Sequence, residues 1–234
     1  MTATTTKSIF WKGVRDGAPF LLVVGPFGLL FGVIATEAGL NLSETMGFSV
    51  LVIAGAAQFT AVQLMVDEAP TLIVLATSLA VNLRMAMYSA SITPHLGAAP
   101  LWKRALVSYF LVDQSYAVSV AKYEKENWSL QQKLAYFFGV IIPICPMWYV
   151  LTLVGAMVGE TIPDTWALDF AIPITFLALV APALRTLPHV IAAFVSIVLA
   201  LLLAGLPYNS GLLIAAVVAM MIGAQSELMI GRRK

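Results

Sequence analysis

Arg84 lies in "LAVNLRMAMYSAS", residues 79–91, inside an apolar run and two residues after Asn82. A guanidinium carries a permanent charge and a fixed fork of donors, and a carboxamide both donates and accepts. An ionised side chain near a bilayer centre costs from about 2.5 to more than 10 kcal/mol, so it persists where it meets a partner or a hydrated cavity. On a helix, Arg84, Tyr88 and Ser91 fall on one face, while Ser78 and Asn82 begin another that Ser89 continues. Asp113, in "SYFLVDQSYAVS", is the natural counter-charge. Tyr109, Asp113 and Tyr116 share a face there, with Gln114 and Ser115 beside them. A third feature is "AGAAQF", residues 54–59. Gly55, Ala56 and Ala57 let backbones approach closely, and Gln58 sets a carboxamide at that constriction.

Each of these residues supports two chemistries. Arg84 either satisfies the carbonyls of a broken helix or belongs to a transport site or gate. An Arg84–Asp113 pair is cheaper than two isolated ions and could be purely structural. Asp113 in a hydrated cavity could equally carry a proton, because desolvation raises a carboxyl pKa. Gln58 either makes one interhelical hydrogen bond at a tight contact or lines a polar site. Asp169, opening "LDFAIP", is placed to cap a helix. His95 and His189 sit at segment ends without ligand-like spacing, so a metal site is not expected. Cys145, the single cysteine, lies between Pro143 and Pro146 and reads as a small packing residue that excludes a disulfide framework. There is no P-loop, H-E-x-x-H or nucleophile elbow, so neither an enzyme nor a bound cofactor is expected.

The elements that position these groups follow from composition. Of 234 residues, 60% are hydrophobic and 11% charged, against about 25% charged in an ordinary soluble domain. A mean hydropathy of +0.92 fits an all-α, polytopic membrane protein. The net charge of +1 gives no reason to expect nucleic-acid binding. Since a span needs roughly 20 apolar residues, eight hydrophobic segments are expected: 19–36, 47–66, 71–92, 105–121, 134–158, 168–184, 187–205 and 209–230. They amount to six to eight spans within a single transporter domain, residues 1–234. Broken helices are expected at "APFLLVVGPFGLLFG", "IIPICPM" and "LDFAIPIT", where Gly and Pro interrupt short spans. Residues 1–16 read as a basic cytoplasmic tail without a signal-peptide cleavage site.

Loop charges place both termini in the cytoplasm. Lys7, Lys12 and Arg15 precede the first segment, and Arg232, Arg233 and Lys234 end the chain. One conflict arises. Strict alternation of eight spans puts Lys103 and Arg104 outside, although the loops on both sides of the fourth segment are basic. Either those two residues are tolerated there, or the short fourth segment re-enters and the second also fails to cross simply.

In order and spacing, these blocks resemble the AzlC-type branched-chain amino acid permeases. The likeness runs from about Gly13 to the end of the chain. It is carried by "GAPFLLVVGPFGLLFGVIATEAGL", "SVLVIAGAAQFTAVQLM", "VNLRMAMYSASITPHL", "SYFLVDQSYAVS" and "LDFAIPITFLALVAPALR". The resemblance implies a secondary transporter that exports branched-chain or related hydrophobic amino acids across a bacterial inner membrane. It also implies a separate small subunit of the AzlD type. A zwitterionic substrate needs a cation or helix N-terminus for its carboxylate, and an acceptor for its ammonium. Gly55, Gln58, Asn82, Arg84, Tyr88 and Asp113 are then the expected binding residues, with Asp113 also coupling protons. Gln114 and Asp169 would support them. The family often carries His after Asn-Leu-Arg, and Asp-Glu in the fourth segment; Met85 and Gln114 replace these titratable groups here.

Overall fold

A computed structural model describes residues 5–159, 184, 186–206 and 210–231. Its elements are helical: α1 (Thr6–Gly17), α2 (Leu21–Glu37), α3 (Leu42–Val52), α4 (Gly55–Val66), α5 (Thr71–Leu96), α6 (Leu101–Tyr109), α7 (Asp113–Tyr123), α8 (Leu130–Gly159), α9 (Leu187–Leu202) and α10 (Ser210–Gly231). A short 3-10 turn at Ala18–Phe20 joins α1 to α2. Four stretches among the described residues are long and apolar enough to span a membrane: Thr6–Glu37, Thr71–Leu96, Leu130–Gly159 and Ser210–Ile230. Seven of the eight expected segments are therefore helical. The sixth, with Asp169, lies outside the described residues. The chain forms two compact units, one of Met1–Val62 with Ser78–Trp166, the other of Gln63–Thr77 with Ala167–Lys234.

The core of the first unit is the contact of α1 and α2 with α8. Small residues permit it. Gly13 and Gly17 close on the α8 backbone at Tyr136 and Val140, Gly28 on Trp148, Gly32 on Thr152 and Ala156, and Gly159 on Val33. Numbers rise together on both sides, so the helices run parallel. Three of these glycine pairs are spaced four apart, Gly13/Gly17, Gly28/Gly32 and Gly155/Gly159, which puts one flat strip on each helix. Without a hydrophobic drive between helices in lipid, such close packing supplies the attraction. Pro26, Pro143 and Pro146 lie inside continuous α2 and α8. The breaks expected at those prolines are absent, since packed neighbours and local adjustment can satisfy the freed backbone groups.

The breaks fall in the second and fourth segments instead. In the second, α3 opens with a reciprocal Asn41–Glu44 capping box, both bonds 2.9 Å. It ends at Ile53, whose left-handed φ of 43° is strained for a β-branched residue. Phe48 before the break and Phe59 after it both pack on Phe31. Hence α4 folds back along α3 rather than prolonging it.

The fourth segment breaks at residues 110–112. Val112 is extended, and the Ser115 hydroxyl accepts from Val112 N–H at 3.0 Å. Its Oγ also donates, lying 2.9 Å from the carbonyl oxygens of both Phe110 and Val112. A side chain thus takes over bonds that a continuous helix would make with its backbone.

The fourth segment returns to the end from which it enters. A cavity lined by Thr6, Trp102, Lys103 and Gln131 gathers the starts of α1, α6 and α8. The Tyr123 hydroxyl donates to the Lys133 carbonyl at 2.7 Å, and Lys133 Nζ lies 3.3 Å from His95 Nδ1. These contacts bring the ends of α7 and α5 to the same place. Two further ion pairs lie beside them, Lys12–Glu126 at 3.2 Å and Lys122–Asp16 at 3.4 Å. The α6–α7 segment is therefore a hairpin within the first unit, and its flanking basic residues share one end of that unit.

In the second unit, Gly223 of α10 meets Ala192 of α9, and Gly211 meets Leu203. The falling and rising numbers make α9 and α10 an antiparallel pair.

Candidate site at the two helix breaks

Helix α7 begins at Asp113, where the N-terminal partial positive charge of the helix favours a carboxylate. α5 and α7 run parallel, so the helical repeat sets their polar faces in register. Arg84 Nη1 lies 2.8 Å from Asp113 Oδ2. One turn on, the rings of Tyr88 and Tyr116 stack at 4.1 Å between centroids, 12° from coplanar. The Tyr116 hydroxyl donates to Ser91 Oγ at 2.9 Å. Thus the face Arg84, Tyr88, Ser91 meets the face Asp113, Tyr116.

The ion pair is incomplete. Arg84 Nε and Asp113 Oδ1 are both buried without a hydrogen-bond partner. A guanidinium and a carboxylate normally use their remaining donors and acceptors when buried. The second carboxylate oxygen can still accept from a cation or an N–H group, with the Tyr88 hydroxyl beside the same carboxylate.

Gln58 sits at the other break, fully buried. In a continuous helix Ala54 N–H would donate to the Val50 carbonyl. Here it donates to Gln58 Oε1 at 3.2 Å. The Val50 carbonyl accepts from the Tyr109 hydroxyl at 2.6 Å, and that oxygen lies 2.9 Å from the Tyr149 hydroxyl. Both halves of the interrupted backbone bond are therefore taken up by side chains. Tyr109 ends α6, immediately before the other break, so one side chain ties the two hairpin tips together.

The structure brings Arg84, Tyr88 and Asp113 into one cluster and places Gly55 and Gln58 at the tip that Tyr109 joins to the neighbouring hairpin. Asn82 is on α5, two residues before Arg84, with its Oδ1 buried and unpartnered. Gln114 follows Asp113 on α7 without a contact to the pair. Asp169 lies outside the described residues. Two further residues, Tyr109 and Trp148, belong to the site. Tyr109 was legible as the position one turn before Asp113, on the same face, but not as a link to Val50, 59 residues away. Trp148 carried no signal within apolar α8, yet its ring edge closes on Gly55 and its Nε1 is buried without a partner. Among the described residues no group of three His, Cys, Asp or Glu side chains could hold a metal.

Comparison with known proteins agrees with this architecture. Residues 19–162 match the family described as AzlC protein. The chain is similar to the inner membrane protein YgaZ of Escherichia coli, 26% identical over 180 residues, which cover 74% of this chain and 72% of that protein. It is also similar to an uncharacterized membrane protein of Helicobacter pylori, 25% identical over 218 residues, covering 91% and 94%. A third relative, an uncharacterized membrane protein of Archaeoglobus fulgidus, is 30% identical over 196 residues, covering 79% and 80%. No solved structure matches.

Proposed function

We propose that this chain, which belongs to the AzlC family of membrane proteins, is a secondary transporter that exports branched-chain or related hydrophobic amino acids. One observation carries the reading: two broken hairpins, tied by Tyr109, hold an incomplete Arg84–Asp113 pair and a buried Gln58. Interrupted helices with buried polar groups at their ends are the usual construction of a transport site. A zwitterion with an apolar side chain supplies both what the free acceptor lacks and what the aromatic walls suit. Energy would come from an ion gradient, with Asp113 as the coupling carboxylate. Proton uptake on Asp113 would end its ion pair with Arg84, so the two side chains would part during the cycle.

The basic end of the first unit is then cytoplasmic, with Lys12, Lys103, Lys122 and Lys133 on that side of a bacterial inner membrane. Both termini would lie there too. A small AzlD-type subunit is the expected partner.

Reconstituted vesicles test the reading. Leucine counterflow should be present, and a proton gradient should drive accumulation, each measured with and without the small subunit. Asp113→Asn should abolish gradient-driven accumulation while sparing counterflow, which needs no net proton movement. Leucine flux without counterflow would instead mark a passive channel. Wild-type accumulation and pH dependence in Asp113→Asn would leave Asp113 as a structural partner of Arg84 only.

A further inference from the structure

The first hairpin tip contains donors without acceptors. At the start of α4 the N–H groups of Gly55, Ala56 and Ala57 have no carbonyl one turn back within their own helix. Gln58 Nε2 is buried and unpartnered, while its Oε1 is held by Ala54 N–H. That bond fixes the carboxamide over the first turn of α4, so Nε2 is directed at the same tip. Trp148 brings a further buried, unpartnered N–H, with its ring edge against Gly55. Burying such donors without partners is costly. The carboxamide oxygen already holds the Ala54 N–H. The group that completes this tip must therefore be an acceptor, and the helix N-terminus favours a negative one.

At the other tip Asp113 Oδ1 lacks a hydrogen-bond partner, while Arg84 gives Nη1 to Oδ2 of the same carboxylate and keeps Nε buried without a partner. A carboxylate at that tip suits the ammonium end of a zwitterion.

We infer that the α4 tip, formed by the Gly55–Ala57 amides, Gln58 Nε2 and Trp148 Nε1, receives the substrate's α-carboxylate. This rests on the transport reading and assigns the carboxylate within it. The lack of any side chain at Gly55 is part of the site. A methyl group added there would come within 2.8 Å of Phe27 Cε1 and 3.1 Å of the Trp148 ring.

Calorimetric titration of the detergent-purified chain, alone and together with the small subunit, with L-leucine and with L-leucinamide tests this. Leucinamide keeps the ammonium and the side chain but has no carboxylate. The wild type should prefer leucine. Gln58→Glu keeps an oxygen for Ala54 N–H, so the tip stays capped, but it fills the donor site with its own negative charge. It should weaken leucine by on the order of 10–100-fold, the value of charge-assisted hydrogen bonds. Its effect on leucinamide should be below about 3-fold, by the same reasoning, as no carboxylate is displaced. Trp148→Phe removes the indole N–H and keeps an aromatic ring. It should weaken leucine by on the order of 10-fold, which provides a second test should Gln58→Glu fail to fold. A wild type that binds neither compound overturns the transport reading and this assignment together. Leucine binding in the wild type that neither variant alters overturns the assignment alone.

Discussion

One substitution, glycine to alanine, should have opposite signs at Gly32 and Gly47, two positions on neighbouring helices. At Gly32 the new methyl would fall on α8, 2.5 Å from Ala156 N and closer still to the Thr152 carbonyl. Both obstacles are backbone, so no rotamer change can clear them, and α2 must move away from α8. Ordinary contact is about 3.5–4.0 Å. The required shift is thus roughly 1 Å or more, judged against that spacing, and it would loosen contacts along the whole strip from Leu29 to Gly159. Overpacking of this kind costs about 1–3 kcal/mol. At Gly47, within α3, a methyl meets nothing within 4 Å. There the substitution only restricts the unfolded chain and should stabilise by about 0.5–1 kcal/mol. For a chain of this size 1 kcal/mol moves the midpoint by about 2–4 °C. Thermal unfolding in detergent should therefore show Gly32→Ala lowered by about 2–12 °C and Gly47→Ala raised by about 1–4 °C. Equal shifts of the same sign would refute the parallel α2–α8 contact. A Gly32→Ala protein as stable as the wild type would do so as well.

Two more predictions concern the hairpins. Tyr109→Phe leaves the Val50 carbonyl without its donor and should destabilise by about 1–2 kcal/mol. Tyr149→Phe leaves the 2.6 Å Tyr109–Val50 bond intact and should cost less than half as much; the reverse order in melting experiments would contradict the proposed tie. With Cys145 replaced by Ala, single cysteines at Lys103 and Lys125 should be labelled by a membrane-impermeant maleimide from the same side. Labelling from opposite sides would show that α6 and α7 cross the membrane rather than re-enter.

The helical membrane architecture was legible because it depends on summed hydropathy, which needs no knowledge of neighbours. The pairing of Arg84 with Asp113 was legible for a related reason. Each charge is costly alone, and helical spacing already put Tyr88, Ser91 and Tyr116 on the faces that meet. Breaks expected at Pro26, Pro143 and Pro146 were misread because proline is only a local signal; Pro19 does sit in the 3-10 turn between α1 and α2, and "LDFAIPIT" lies outside the described residues. Pro26, Pro143 and Pro146 lie in well-packed α2 and α8, which absorb them. The actual breaks, at Ile53 and at residues 110–112, contain neither proline nor glycine. They are held by capping from Gln58, Tyr109 and Ser115, and only Ser115 and Gln58 are near enough in sequence to suggest it. The basic residues flanking the fourth segment left a hairpin as one of two readings, because charge at a membrane surface constrains topology whatever the local propensity.

The packing of α2 on α8 also has a consequence for synthesis. Thr36 and the Ala156 carbonyl, whose bond spans that contact, are 120 residues apart. At a translation rate of about 5–20 residues per second, the glycine strip of α2 must wait roughly 6–24 s for its partner. Throughout that interval the first hairpin has no floor, since Ser49 finds its buried contact only at Thr152, 103 residues later. The hairpin tips can therefore close only after α8 has been made. A ribosome stalled between Asp113 and Thr152 would leave Gln58 and Asp113 made but without the α8 wall that completes the unit.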